Sequence, residues 1–97
     1  MDDLINQQSQ VIVFVLSSEG DTVPEKVNQV KISNMTSVPE KALYRCQQLV
    51  RAEMEEGIEK IGDAAFSWCS ALTNVSVPPT VNIIGTWAFA YCSSLQF

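Results

Sequence analysis

Alternating apolar and polar residues mark short strands along the chain. In the segment 74–78, two valines occupy one face and Asn74 and Ser76 the other, because successive side chains of a strand point to opposite faces. Pro78 follows at once, and proline has no N–H group to donate to a ladder. The pattern therefore predicts a strand that ends before the prolines. An uninterrupted apolar run at 11–16 predicts another strand near the start of the chain.

A bend and a segment with helical spacing follow the strand. Gly85 permits a tight bend. Ala88, Phe89 and Cys92 come next, at spacings of one and three residues, which predicts one or two helical turns with an inward face. We therefore expect a unit of strand, turn, bend and short helix, with successive strands parallel and the helices stacked on the opposite side.

The landmarks of this unit recur every 23 residues. The matched pairs are Gly62 and Gly85, Ala65 and Ala88, Phe66 and Phe89, Cys69 and Cys92, and Leu72 and Leu95. A degenerate copy lies upstream, with Pro39 in place of glycine and Leu43 in place of phenylalanine. A period of this size is typical of a solenoid, in which each repeat needs its neighbours to bury its apolar face.

The motif Leu-x-x-Val-x-Val-Pro, followed by Ile-Gly-x-x-Ala-Phe-x-x-Cys-x-x-Leu, resembles the bacterial surface-antigen (BspA-like) class of leucine-rich repeats. The resemblance covers about 27–97 and is strongest over 58–95. It implies a curved parallel sheet used for protein recognition. The predicted fold is thus an α/β leucine-rich-repeat solenoid, with a parallel β-sheet on one side and short helices on the other, built from about three repeats and an N-terminal capping strand.

These patterns divide the chain into a flexible start, a cap and a repeat region. The expected segments are a flexible N-terminus at 1–10, a capping strand and turn at 11–26, and leucine-rich repeats over 27–97, at about 27–49, 50–72 and 73–95, with the next strand cut off at 97.

The charge distribution narrows the choice of partners. The formal net charge is −5, and no Asp, Glu, Lys or Arg follows Asp63. An acidic chain is a poor partner for nucleic acids, which require clustered Lys and Arg, and for anionic membranes. The apolar run at 11–16 is too short to span a bilayer. The uncharged final third indicates either a covered surface or further repeats beyond it.

Three cysteines and no histidine set the candidate chemistry. Cys46, Cys69 and Cys92 are spaced by the repeat itself rather than as close pairs typical of metal sites. We therefore expect a ladder of buried thiols; disulfides between adjacent turns and metal binding are the alternatives. The odd cysteine count and the lack of an export signal favour reduced thiols and an intracellular location. No cofactor is expected.

Catalysis finds little support. A thiol nucleophile needs a base, and the chain has no histidine to serve as one. The carboxylates of 53–59 form an acid–base pair or a cation site in one interpretation and a solvated edge in the other, which we favour. We therefore expect a protein that is not an enzyme, with a small Cys- and Glu-based enzyme or metal protein as the remote alternative.

The outward side of the parallel strands is the predicted working surface. Alternation predicts two columns of exposed side chains, about 4.8 Å apart from strand to strand. The columns are Gln29, Arg51 and Asn74, and then Lys31, Glu53 and Ser76. Their hydrogen-bonding groups suit an extended protein partner, although purely solvated columns are the alternative.

A third column, of Arg45, Trp68 and Tyr91, is predicted on the helix side. Mutual stacking of the rings is the favoured interpretation, and an exposed aromatic binding patch is the alternative. The leading functional hypothesis is a non-enzymatic protein-binding module that uses the exposed sheet face. The alternative is an assembly element that self-associates by stacking through its uncapped C-terminal end.

Overall fold

The computed structural model describes residues 11–96, which form an elongated coil of 47 × 26 × 23 Å. The predicted flexible N-terminus at 1–10 and residue 97 lie outside the described residues. The strands are β1 (Val13–Leu16), β2 (Gln29–Ile32), β3 (Ser37–Val38), β4 (Arg51–Met54), β5 (Lys60–Ile61), β6 (Asn74–Ser76) and β7 (Ile83–Ile84). They form two sheets, ordered β1–β2–β4–β6 and β3–β5–β7. Every strand pairing is parallel, as predicted.

Each complete coil contributes one strand to each sheet. Val30 pairs with Ala52 and Ala52 with Val75 in the first sheet, whereas Val38 pairs with Ile61 in the second. The second sheet was not predicted from the sequence. Its strands have only two residues each, too few for an alternating pattern to show.

The interior is one apolar cluster that runs the length of the coil. Its largest fully buried side chains include Phe66, Leu43, Leu49 and Leu72, each with no exposed surface. Apolar burial of this kind is the main force that favours folding. The inward positions of the first sheet join the same cluster, so neighbouring coils share a single continuous core, as a solenoid requires.

The predicted short helices are wrong: residues 11–96 contain no helix. The segments concerned, 39–46, 62–69 and 85–92, are here named the turn segments, and each consists of successive turns. In the first two turn segments alternate N–H groups bond across coils, and the N–H groups between them donate to the carbonyl three residues back. The N–H of Leu43 donates to the carbonyl of Ala65 at 2.7 Å, and that of Phe66 to Ala88 at 2.8 Å.

Residues with left-handed backbone geometry recur at equivalent positions of the turn segments. Two positions in each turn segment have positive φ. They are Lys41 and Arg45, Ala64 and Trp68, and Trp87 and Tyr91, in successive coils. A left-handed non-glycine residue costs roughly 1–2 kcal/mol and interrupts helical geometry. Helical spacing of apolar side chains is therefore present without a helix, because the spacing reports the inward face and not the path of the backbone.

Candidate protein-binding face

The six predicted binding residues lie in two straight columns across the first sheet, here named the sheet face. Strand pairing aligns Gln29, Arg51 and Asn74 in one column and Lys31, Glu53 and Ser76 in the next. Parallel in-register pairing holds such columns at a spacing of about 4.8 Å. The structure thus brings all six together. Their use in binding a protein stays a prediction.

Alternation along the strands turns these side chains away from the core. Val30 and Ile32 of β2 are buried, as are Ala52 and Met54 of β4. The residues between them are exposed or half-buried. The sheet face therefore carries polar side chains that no core contact immobilises.

One ion pair lies on the sheet face. The guanidinium of Arg51 is 3.5 Å from a carboxylate oxygen of Glu53, and the two side chains are about half exposed. An exposed pair of this kind contributes roughly 0–1 kcal/mol. Both groups therefore remain able to exchange this contact for one with a partner, at little cost in stability.

The first strand extends both columns with apolar residues, which sequence reasoning missed. Val13 pairs with Gln29 and Val15 with Lys31, and both valines are about half exposed. The apolar run at 11–16 is visible in the sequence, but only the pairing register shows which of its residues lie on the sheet face. The sheet face accordingly changes from apolar at β1, through charged at β2 and β4, to uncharged and polar at β6.

The acidic segment at 53–59 does not form a compact cluster of carboxylates around one point. Glu53 lies on the sheet face, whereas Glu55 accepts a hydrogen bond from the N–H of Asn34 at 3.1 Å. Among residues 11–96, no group of three or more His, Cys, Asp or Glu side chains is placed to hold a metal ion. The expectation that the remaining carboxylates of this segment form a solvated edge stays a prediction.

The three cysteines occupy equivalent interior positions in successive coils. All three are free thiols; Cys46 and Cys69 are buried and Cys92 is half-buried. The Cys69 thiol donates to the carbonyl of Leu43 at 3.1 Å, and the Cys92 thiol to that of Phe66 at 3.0 Å. Burial raises the pKa of Cys69 to about 12, with smaller contributions from the neighbouring thiols. Such thiols are poor nucleophiles at neutral pH.

The predicted third column is present, and its rings stack. Trp68 and Tyr91 lie 4.2 Å apart, with ring planes 11° from parallel, and the guanidinium of Arg45 lies 5.9 Å from the Trp68 ring. Trp87 joins them, 6.4 Å from Tyr91. The rings therefore stack, as favoured, and all three also remain substantially exposed. A binding role for these exposed rings stays a prediction.

Comparison with known proteins agrees with this geometry. A family model described as "BspA type Leucine rich repeat region (6 copies)" matches residues 24–97. The six copies of that description differ from the three repeats predicted here, so the repeat number stays a prediction. No curated protein matches the chain. No helix within residues 11–96 combines the length and apolar character that crossing a bilayer requires.

A solved structure supports the fold. The crystal structure of a leucine-rich repeat protein from T. pallidum superimposes with a TM-score of 0.71 at 23% sequence identity. The alignment covers 88% of this chain but only 41% of that protein. Since the family model covers most of the chain and the parallel coils match the solved fold, the protein belongs to the BspA-type leucine-rich repeat family.

Proposed function

We propose that the protein is a non-enzymatic binding module whose sheet face holds an extended segment of a partner protein. Leucine-rich repeat proteins often mediate protein interactions, which makes this the natural class of activity. The observation that carries the proposal is the two aligned columns of exposed, hydrogen-bonding side chains. An extended segment laid across the strands meets one side chain of each column at every coil.

The side chains of the two columns indicate which types of residue a partner segment should carry. β1 offers exposed valines, β2 and β4 offer Lys31, Arg51 and Glu53, and β6 offers Asn74 and Ser76. A matching segment has an apolar residue at one end, charged residues in the middle and amide or hydroxyl groups at the other end. Electrostatic complementarity in the middle fixes the direction in which such a segment binds.

A random-peptide phage library panned on the wild-type protein tests the proposal. Each selected peptide is then measured against the double variant Arg51→Ala/Glu53→Ala and against Glu59→Ala/Lys60→Ala. The second pair is a matched control, because it also removes one charge of each sign and both residues are exposed. Lys60 begins β5 of the second sheet.

We expect peptides that lose affinity at least tenfold for the first variant and keep it for the control, since even one lost charged contact costs roughly 1.5–3 kcal/mol. Peptides that bind both variants equally, or a library without binders, contradict the proposal. Circular dichroism of each variant confirms that the fold is intact.

A second candidate function, assembly through the C-terminal end, has an observation of its own. Ile61 is fully buried, whereas Ile84, its equivalent one coil later, is 57% exposed. The N–H groups of Trp87, Phe89 and Tyr91 have no acceptor among residues 11–96. In each of the two preceding coils, the equivalent N–H groups donate to carbonyls of the coil that follows.

This end is therefore both apolar and rich in unused donors, which suits a further coil or another copy of the chain. Sedimentation velocity at several concentrations tests self-association. The substitution Ile84→Lys should abolish any dimer, because it places a charge in the apolar contact. A monomer at every concentration excludes self-association through this end.

A further inference from the structure

The turn segments form a groove lined by four aromatic rings on the side of the molecule away from the sheet face. The cavity has a volume of about 520 Å³. Its rings belong to Tyr44, Trp68, Trp87 and Tyr91, and three charged residues, Glu40, Lys41 and Asp63, line it with them. We name it the aromatic groove.

The rings are presented to solvent by the backbone itself. Trp68, Trp87 and Tyr91 have φ values of 66°, 64° and 61°, a region that bulky side chains rarely adopt. Cross-coil bonds hold the first of them, because the N–H of Trp68 donates to Ala90 at 2.9 Å. Trp87 and Tyr91 remain 62% and 55% exposed, so large aromatic faces are left uncovered.

The chain already places cations against the rings at the other end of the groove. The guanidinium of Arg45 lies 5.4 Å from the Tyr44 ring and 5.9 Å from the Trp68 ring. The ammonium of Lys41 lies 5.5 Å from Tyr44. A cation within about 6 Å of a ring centroid is attracted by the negative π face. Tyr44 and Trp68 are thus supplied with cations by the chain itself.

The other two rings lack such a partner. No Lys or Arg follows Lys60 in the sequence, and among the described residues no cation lies over the ring of Trp87 or Tyr91. The groove is lined by the carboxylates of Glu40 and Asp63 and by the single ammonium of Lys41, which lies over Tyr44. The charge of its lining is therefore negative on balance, in a protein of formal net charge −5. Negative charge beside uncovered rings favours a cation from outside the chain.

We propose that the aromatic groove binds an arginine side chain of a partner polypeptide. The guanidinium lies over Trp87 and Tyr91, as that of Arg45 lies over Trp68, and a carboxylate in the same wall accepts its N–H groups. Arginine fits better than lysine, since its flat cation stacks on rings and binds carboxylates at the same time. The site is separate from the sheet face and does not depend on the function proposed for that face.

An NMR titration with short peptides tests the proposal. The probe is the blocked pentapeptide Gly-Gly-Arg-Gly-Gly, and its counterpart carries citrulline, which is neutral and of nearly the same shape. We expect the arginine peptide to shift the indole N–H signal of Trp87 and to bind about fivefold more tightly than the citrulline peptide. Equal binding of the two peptides, or no shift, overturns the proposal.

Variants locate the site. Trp87→Ala should reduce binding at least fivefold, and Glu40→Gln should reduce it less. Both residues are exposed, so both variants should fold, and their dispersed NMR spectra check this. Glu59→Gln, at an exposed position next to β5 of the second sheet, is the control and should bind as the wild type does. Full binding by Trp87→Ala, or a response of Trp87 to a proline-rich peptide but not to the arginine peptide, contradicts the assignment.

Discussion

Replacing Gly62 with alanine tests how closely successive coils approach each other. A Cβ atom at this position would lie 2.6 Å from the carbonyl oxygen of Val38 and 2.8 Å from the backbone nitrogen of Glu40. Both are backbone atoms of the preceding coil, so no side chain can rotate away to make room. Among the glycines of residues 11–96 only Gly57 has positive φ. Gly62 is therefore required for space and not for its backbone conformation.

The cost follows from this clash. Relieving it means moving two hydrogen-bonded coils apart by several tenths of an ångström, including the bond from the N–H of Gly62 to Val38 at 2.8 Å. Overpacking usually costs about 1–3 kcal/mol, and the rigid backbone partners favour the upper end of this range. We expect Gly62→Ala to lower the free energy of unfolding by about 3 kcal/mol. A Cβ atom at Gly85 would lie as close, 2.6 Å from the backbone nitrogen of Asp63. Gly85→Ala should nevertheless cost less, because the last coil has a neighbour on only one side and can move away from it.

Urea denaturation followed by tryptophan fluorescence measures these differences. Gly20→Ala is the control, because nothing lies within 4 Å of a Cβ atom there, and it should be neutral or slightly stabilising. The expected order of destabilisation is Gly62, then Gly85, then Gly20. A Gly62→Ala variant within about 0.5 kcal/mol of the Gly20 control would refute the close approach on which the stacking depends.

Three further predictions concern the core. Phe66→Ala should cost about 3–5 kcal/mol, and Phe89→Ala distinctly less in the same denaturation assay, because Phe66 is fully buried whereas Phe89 is only partly so; equal costs would contradict this. The Cys69 thiol should react with a disulfide reagent at pH 8 only after unfolding, and rapid labelling of the native protein would show that it is accessible. The raised pKa of Cys69 also predicts a pH effect. Between pH 9.0 and about pH 12 the Cys69 thiol loses its proton in the unfolded chain but keeps it in the native protein, so the free energy of unfolding falls as the pH rises through this range. Cys69→Ala should lose less stability than the wild type between these limits, and an identical loss would exclude the effect.

Much of the fold could be predicted because the repeat imposes equal environments on equivalent residues. The 23-residue spacing put the cysteines in one interior column, and the structure places two of them in the core and the third at its margin. Alternation around Arg51 and Asn74 predicted the register of the sheet face. Both predictions depend only on periodicity and on which face is apolar, and a single sequence contains that information.

The path of the turn segments could not be predicted in the same way. Apolar residues spaced by one and three fit a helix and also fit a series of turns that buries the same face. Hydrogen-bond partners decide between the two, and here the acceptor for Leu43 lies 22 residues ahead, at Ala65. The aromatic groove was only partly foreseen for the same reason. Its rings are exposed by left-handed φ values, which no propensity assigns to tryptophan.

Pro39 shows how one position changes its role along the solenoid. Gly62 and Gly85 occupy the equivalent place in later coils, and each donates its N–H to the preceding coil, at 2.8 and 2.7 Å. Proline has no N–H group and carries extra atoms. It is tolerated in the first copy because cavities, rather than a tightly stacked coil, adjoin it there. The departure from the repeat pattern thus lies directly after β3, the first strand of the second sheet.

The last coil belongs to both of the interaction surfaces proposed in addition to the sheet face, namely the C-terminal end and the aromatic groove. In a linear stack each coil contacts only its neighbours, so a terminal coil has about half of the stabilising contacts of an internal one. Phe89 and Ile84 show this directly, since each is more exposed than its equivalent one coil earlier. The same coil carries Trp87 and Tyr91 of the aromatic groove. A second copy of the chain that stacked on the C-terminal end would also order these two rings, and a guanidinium bound to the rings would stabilise the coil that such a contact uses. The two interactions are therefore expected to strengthen each other through the stability of a single coil.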